Sequence, residues 1–249
     1  MATAPPEDQR RLLEVQALDT RLQQLAHQRR TLPALTTLAE LDKRVADLQG
    51  SLVDSRTAVS DLERQLGKAE ADVEQVRVRA ARDQQRLDSG GLSAKDAQAM
   101  VSEVESLARR QGVLEEAQLE VMERLEAHQD SLGKVEAAHA ELLAAKEKAQ
   151  AERDARWAEI DAAAAEVTGQ RATAAAGLDA GLVALYDRLR SQLGGLGAAA
   201  LRGGRCEGCR LELNAGDLAA VRSAAPDQVV RCEECGRILV RVADDAAAA

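Results

Sequence analysis

Four cysteines occur in the 249 residues, in two hooks of identical spacing, Cys206-x-x-Cys209 and Cys232-x-x-Cys235. Thiolates at this spacing are zinc ligands: each hook supplies two sulfurs, and two hooks close a tetrahedral cage around one Zn²⁺. Twenty-two residues separate the hooks, room for a strand or short helix and a return. Gly208 inside the first hook and Gly236 after the second suit the tight turns that aim backbone N–H groups at sulfur. Two disulfides, or a redox Cys-x-x-Cys pair, are the competing readings. Neither suits a chain that reads as intracellular and lacks a βαβ setting.

The segment that must hold these ligands spans 201–243. Residues 231–232 and 238–242 flank the second hook and predict a small β-hairpin. Leu211, Glu212 and Leu213 alternate like a strand, and Asn214 predicts the cap of a short helix carrying Leu218 and Val221, stopped before Pro226. About forty residues bury too little surface to fold alone. The expected role of the metal is therefore structural, one Zn²⁺ per chain contributing folding free energy. Upstream, Leu178, Leu182, Leu185, Tyr186 and Leu189 predict a bracing helix within a 177–200 linker, ended by Gly194 and Gly195. Tyr186 reads as packing, with stacking on a nucleobase as the alternative. A disordered tail is expected over 244–249.

The rest of the chain reads as coiled coil. Apolar residues recur three and four apart at Leu38, Leu41, Val45, Leu48, Leu52, Val59, Leu62, Leu66, Val73 and Val76. The pattern stops at a Ser-Gly-Gly turn and resumes in mirror order through Val104, Leu107, Leu114, Val121, Leu125, Leu132, Val135 and Leu142. Folding back near position 90 pairs Leu38 with Leu142, Val59 with Val121 and Leu52 with His128, which predicts an intramolecular antiparallel hairpin. His128, His139, Gln111 and Gln118 occupy seam positions, where polar residues set register. Pro33 predicts a kink near 31–33, beyond which Leu12, Val15, Leu18, Leu22 and Leu25 form an arm against residues 150–175, with Trp157, Ile160 and Val167. Helices of near eighty residues would run roughly 120 Å.

The chain is thus expected to be mainly α. A long antiparallel coiled-coil hairpin occupies 1–176, with its turn at 88–92, and a small C-terminal four-cysteine zinc ribbon combines a short β-hairpin with a short helix. Composition agrees: Phe is absent, Trp157 and Tyr186 are single, and 30% of residues are charged. The net charge of −9 excludes a general nucleic-acid coat and restricts such binding to local patches. One candidate patch is Arg202, Arg205, Arg210, Arg231, Arg237 and Arg241 on the ribbon. A second is Arg77, Arg79, Arg82, Arg86 and Lys95 beside the turn. Across 201–243 seven Arg face six acidic residues, and a four-thiolate zinc site adds two negative charges, so the ribbon is close to neutral. The N-terminus lacks the apolar core of a signal peptide and no stretch approaches a membrane span, so a cytoplasmic location is expected. No triad order, phosphate loop or open metal site is visible, so no enzyme and no small-molecule substrate are expected. The alanine-rich faces leave a monomer and a weak homo-oligomer open.

Residues 205–209 and 229–240, together with the turn at 86–96 and the segment 103–107, resemble a bacterial coiled-coil family bearing a C4-type zinc ribbon. Its members have Ser-Gly at the turn and Lys-Asp or Lys-Glu just after, here Ser89, Gly90, Lys95 and Asp96. The aromatic often found near the turn and after the ribbon's Ile-Leu is Leu87 and Val240 here. The resemblance implies a helical hairpin with a C-terminal ribbon and the four cysteines as zinc ligands. It also implies an adaptor or chaperone, since relatives bind an alternative sigma factor, secretion or flagellar components, or messenger RNA. The expected function is a zinc-binding adaptor acting on protein partners, with DNA or RNA regulation through the ribbon as the alternative.

Overall fold

Proline, serine and glycine punctuate a computed structural model that describes residues 2–242, leaving the tail predicted over 244–249 outside the described residues. Helix α1 (Pro6–Arg30) ends where the Thr31 N–H and hydroxyl both reach the His27 carbonyl, at 3.0 and 2.9 Å. Pro33 opens α2 (Pro33–Asp88) at a position where its missing N–H costs nothing. The turn then uses Gly90 and Gly91 in left-handed backbone, φ 74 and 83. Ser93 caps α3 (Ala94–Ala175): its Oγ accepts the Asp96 N–H at 3.2 Å and donates to the Asp96 carboxylate at 2.7 Å.

The chain divides into two units, Thr36–Gln150 and a second that joins Met1–Leu35 to Ala151–Ala249. Within the first, α2 and α3 are antiparallel, as the ion pairs Asp42–Lys146 (2.6 Å), Arg56–Glu136 (2.8 Å) and Arg79–Glu103 (2.7 Å) require. Every predicted seam position from Leu38 to Leu142 is buried or half-buried except His128, which is exposed. The register differs from the one read in the sequence. Leu38 and Leu41 cluster with Ala149 and with Leu142, the partner expected for Leu38, whereas Val59 and Leu62 cluster with Leu125 and Leu132. Relative to the alignment that would set Leu52 against His128, the partner on α3 lies 2 residues further along for Arg79–Glu103, 8 for Asp42–Lys146 and 12 for Arg56–Glu136, so the offset is smallest beside the turn. An a/d seam repeats every three or four residues, so a slip from one repeat to another still places apolar against apolar.

In the second unit, α4 (Ala180–Gln192) follows α3, capped by Asp179 accepting the Leu182 N–H at 2.8 Å. It ends as predicted, with Gly194 at φ 71 and the Gly195 N–H on the Arg190 carbonyl. Strands β1 (Ala198–Arg202), β2 (Arg205–Cys206), β3 (Val230–Arg231) and β4 (Ile238–Arg241) form one sheet in the order β2-β1-β4-β3. Strand β1 runs parallel to β4, and both hooks with α5 (Ala215–Ser223) lie in the crossover between them. Strand β1 begins inside the stretch read as linker, at residues 198–200, because a run of alanines carries no strand preference of its own. Leu211 to Leu213 forms only an isolated bridge, Arg205 to Glu212.

Alternation along the strands gives the sheet two cores. Ala198, Ile238 and Val240 pack with Leu12, Val15, Leu182 and Tyr186 from α1 and α4. Ala199, Leu201 and Leu239 face the other way, toward Cys206, Cys232 and Val221. The ribbon is therefore not an isolated forty-residue fold: one of its faces is closed by helices, and only the other depends on the cysteines. Gly197 marks how closely β1 approaches α4, since a side chain there would meet the Tyr186 carbonyl at 2.8 Å.

Candidate metal centre

Two knuckles of matching design carry the cysteines. In the first, the Arg210 N–H donates to the Cys206 carbonyl at 2.7 Å; in the second, the Gly236 N–H donates to the Cys232 carbonyl at 2.8 Å. The arginine before each hook closes the turn from outside. Arg205 Nε donates to the Arg210 carbonyl at 2.9 Å, and Arg231 Nε to the Gly236 carbonyl at 2.7 Å. Both turn-closing residues are left-handed, Arg210 at φ 64 and Gly236 at φ 71. The sequence shows the glycine; the non-glycine in the equivalent place has no such signature.

The knuckles face each other, and all four Sγ atoms lie within 4.8 Å of one another. Cys206 and Cys232 are buried, Cys209 and Cys235 half-buried, and all four thiols are free. Contacts join opposite hooks, Cys206 to Cys235 and Cys209 to Cys232, each at 3.9 Å. A tetrahedral ion with Zn–S bonds of about 2.3 Å sets its sulfurs about 3.8 Å apart, so the donor set fits zinc. The same distances are far from a sulfur–sulfur bond of about 2.05 Å.

Electrostatics favour a cation here. Burial pushes the Cys232 thiol up to about 12 and also raises Cys206. Burial opposes ionisation of Cys235 as well, but the Arg237 backbone N–H and guanidinium, with the Cys232 and Cys209 thiols, outweigh it and bring the group down to about 7. A bound dication supplies the charge that lets buried sulfurs such as Cys232 ionise.

Two further ribbon arginines are engaged with the backbone. Arg237 donates from Nε to Leu196 O (2.9 Å) and from its terminal nitrogen to Leu193 O (3.3 Å). Arg241 reaches the carbonyls of Ala224, Ala225, Pro226 and Gln228, at 2.9 to 3.0 Å. Arg202 and Arg210 are exposed. In the hairpin, Arg77, Arg82, Arg86 and Lys95 are exposed as well, while Arg79 pairs with Glu103. Tyr186 is fully buried and donates to Asp19 at 2.7 Å, which removes it from any role as a stacking platform.

Sequence reasoning passed over three polar residues of α1. Gln9, Gln16 and Asp19 are all at least 95% buried. Asp19 accepts from Tyr186, from Arg171 at 3.0 Å and from Arg190 at 3.1 Å. With Leu12 they fall at spacings of three and four, so the signal was a seam with polar members.

Residues 15–194 match the CT398-like coiled coil hairpin domain, and residues 205–239 the C4-type zinc ribbon domain. The chain belongs to this family. A member from Mycobacterium tuberculosis is 39% identical over 234 residues, covering 94% of this chain and 95% of its own. The structure of a Mycobacterium smegmatis protein superposes with a TM-score of 0.85 at 36% identity, over 96% of this chain and 100% of that one. CT398 from Chlamydia trachomatis shares the fold, with a TM-score of 0.68 at 17% identity over 95% and 98% of the two chains. Membership brings the four cysteines together with the zinc-ribbon pattern and the hairpin with a domain suited to protein interaction. Among the described residues, no helix is long and apolar enough to cross a membrane.

Proposed function

We propose that the protein is a non-enzymatic, cytoplasmic adaptor in which one structural zinc ion per chain orders the ribbon and the coiled-coil hairpin engages a protein partner. The observation that carries this reading is the completeness of the ligand set: four sulfurs mutually within 4.8 Å leave no open position for substrate or water. Supporting it, the hairpin displays apolar side chains outside its seam, among them Val113 at 60% and Leu119 at 56% exposure. Of the three histidines, His27 lies on α1 and His128 and His139 on α3, all outside the ribbon.

Nucleic-acid binding through the ribbon has less support, because Arg205, Arg231, Arg237 and Arg241 each direct their guanidinium to backbone carbonyls. Elemental analysis of the purified chain should return one zinc per chain. Affinity capture from native extract should enrich a partner that Val113→Asp with Leu119→Asp loses at unchanged helicity. A chain without zinc, or a partner retained by the double variant, overturns the corresponding half of the reading. Titration with DNA and RNA at two salt concentrations, repeated with Arg202→Ala and Arg210→Ala, tests the alternative.

A further inference from the structure

We infer that α1 is the positioning element of the metal centre, with Gln9 setting the second hook and Gln16 the first. This rests on the structural-zinc reading of the same site. Gln16 Oε1 accepts the N–H groups of Gly197 (2.7 Å) and Ala198 (3.2 Å), while its Nε2 donates to Gly195 O (3.1 Å). That is the entry of β1, and β1 holds the first hook directly: Leu201 pairs with Cys206, and the Glu207 N–H donates to Ala200 O at 3.0 Å.

Gln9 does the equivalent for the other hook. Its Nε2 donates to Asp227 O (3.2 Å), Pro226 O (3.4 Å) and Ala4 O (2.9 Å). The extended N-terminal arm completes the clamp, with Ala4 N–H on Asp227 O at 2.8 Å and Val229 N–H on Ala2 O at 3.0 Å. Residues 226–229 lead straight into β3 and Cys232. Gln9 and Gln16 are one heptad apart and therefore project from the same face of α1. Both are 3 to 5% exposed, so water does not replace their bonds when they are lost. Opening of a hook exposes its sulfurs to exchange, so the lifetime of bound metal reads how firmly each hook is held.

The experiment uses the full zinc-loaded chain and measures metal release to excess chelator, with thiols trapped by alkylation and located by mass spectrometry. Gln9→Ala and Gln16→Ala are each expected to release zinc about tenfold faster, as the loss of buried hydrogen bonds predicts. Gln9→Ala should label Cys232 and Cys235 first; Gln16→Ala should label Cys206 and Cys209 first. Asp19→Asn is the control, since it weakens the α1–α4 packing without touching either hook. Release at the wild-type rate in both glutamine variants, or equal acceleration by Asp19→Asn, overturns the inference. Gln9→Ala decides alone if Gln16→Ala does not fold. Absence of zinc from the wild-type chain is a different result, which sinks the structural-zinc reading itself.

Discussion

Arg210 and Gly236 hold the same place in the two knuckles, each donating its N–H to the first cysteine of its hook from left-handed backbone. Only one of them is a glycine. A side chain in that region of φ and ψ costs roughly 1 kcal/mol, so Arg210→Gly should raise stability by about 0.5 to 1 kcal/mol. Gly236→Ala should lower it by a similar amount or more, since its new Cβ also meets the Arg231 guanidinium at 3.0 Å. Denaturant unfolding of the zinc-loaded variants checks both signs. Stabilisation by Gly236→Ala contradicts the equivalence.

Tyr186 predicts an alkaline limit. Burial, then the hydrogen bond and negative charge of Asp19, raise its pKa above the ordinary value of 10.0. The folded state holds the proton more tightly than the unfolded chain. The stabilising contribution is complete below about pH 10 and declines as pH rises toward the native value. Tyr186→Phe should cost about 1 kcal/mol near neutrality and flatten this decline. Unfolding measured from about pH 9 to about pH 11 in both proteins gives the comparison. Equal slopes would rule out Tyr186 as the source.

Zinc removal should act on one face of the sheet. The core around Leu201, Cys206, Val221 and Cys232 loses its cross-link, while Ile238 and Val240 remain against α1 and α4. Chelation, or Cys232→Ser, is expected to open residues 203–237 to protease with little change in helical circular dichroism. A cooperative loss of most helicity would show that the metal holds far more than the ribbon.

The seam and its cap give local predictions. Leu62 is 3% exposed, and Leu62→Ala should cost about 2 to 4 kcal/mol through the cavity it leaves. Ser93→Ala removes the cap at the start of α3 and should cost about 1 kcal/mol. Amide exchange should then rise over the first turn of α3 alone; protection unchanged there would argue against the cap.

Much of this architecture is legible in the chain itself. The hooks announce a four-sulfur site, the glycines and Pro33 mark the turns, and three-four spacing marks both long helices. The register was not legible, because a seam that repeats every few residues tolerates a slip along the partner helix; Leu52 and His128 show it, one buried and the other exposed. Strand β1 was hidden by its alanines, which take the conformation their neighbours impose.

Local pattern determined the metal ligands, the helices and their breaks, since each depends on residues within a turn or two of one another. Tertiary structure alone decided that α1 belongs with the ribbon. Gln16 meets Gly195 across 179 positions and Gln9 meets Asp227 across 218. Hydrogen bonds over such separations follow from which surfaces remain unburied after the helices have formed, and no periodicity along the chain encodes that choice.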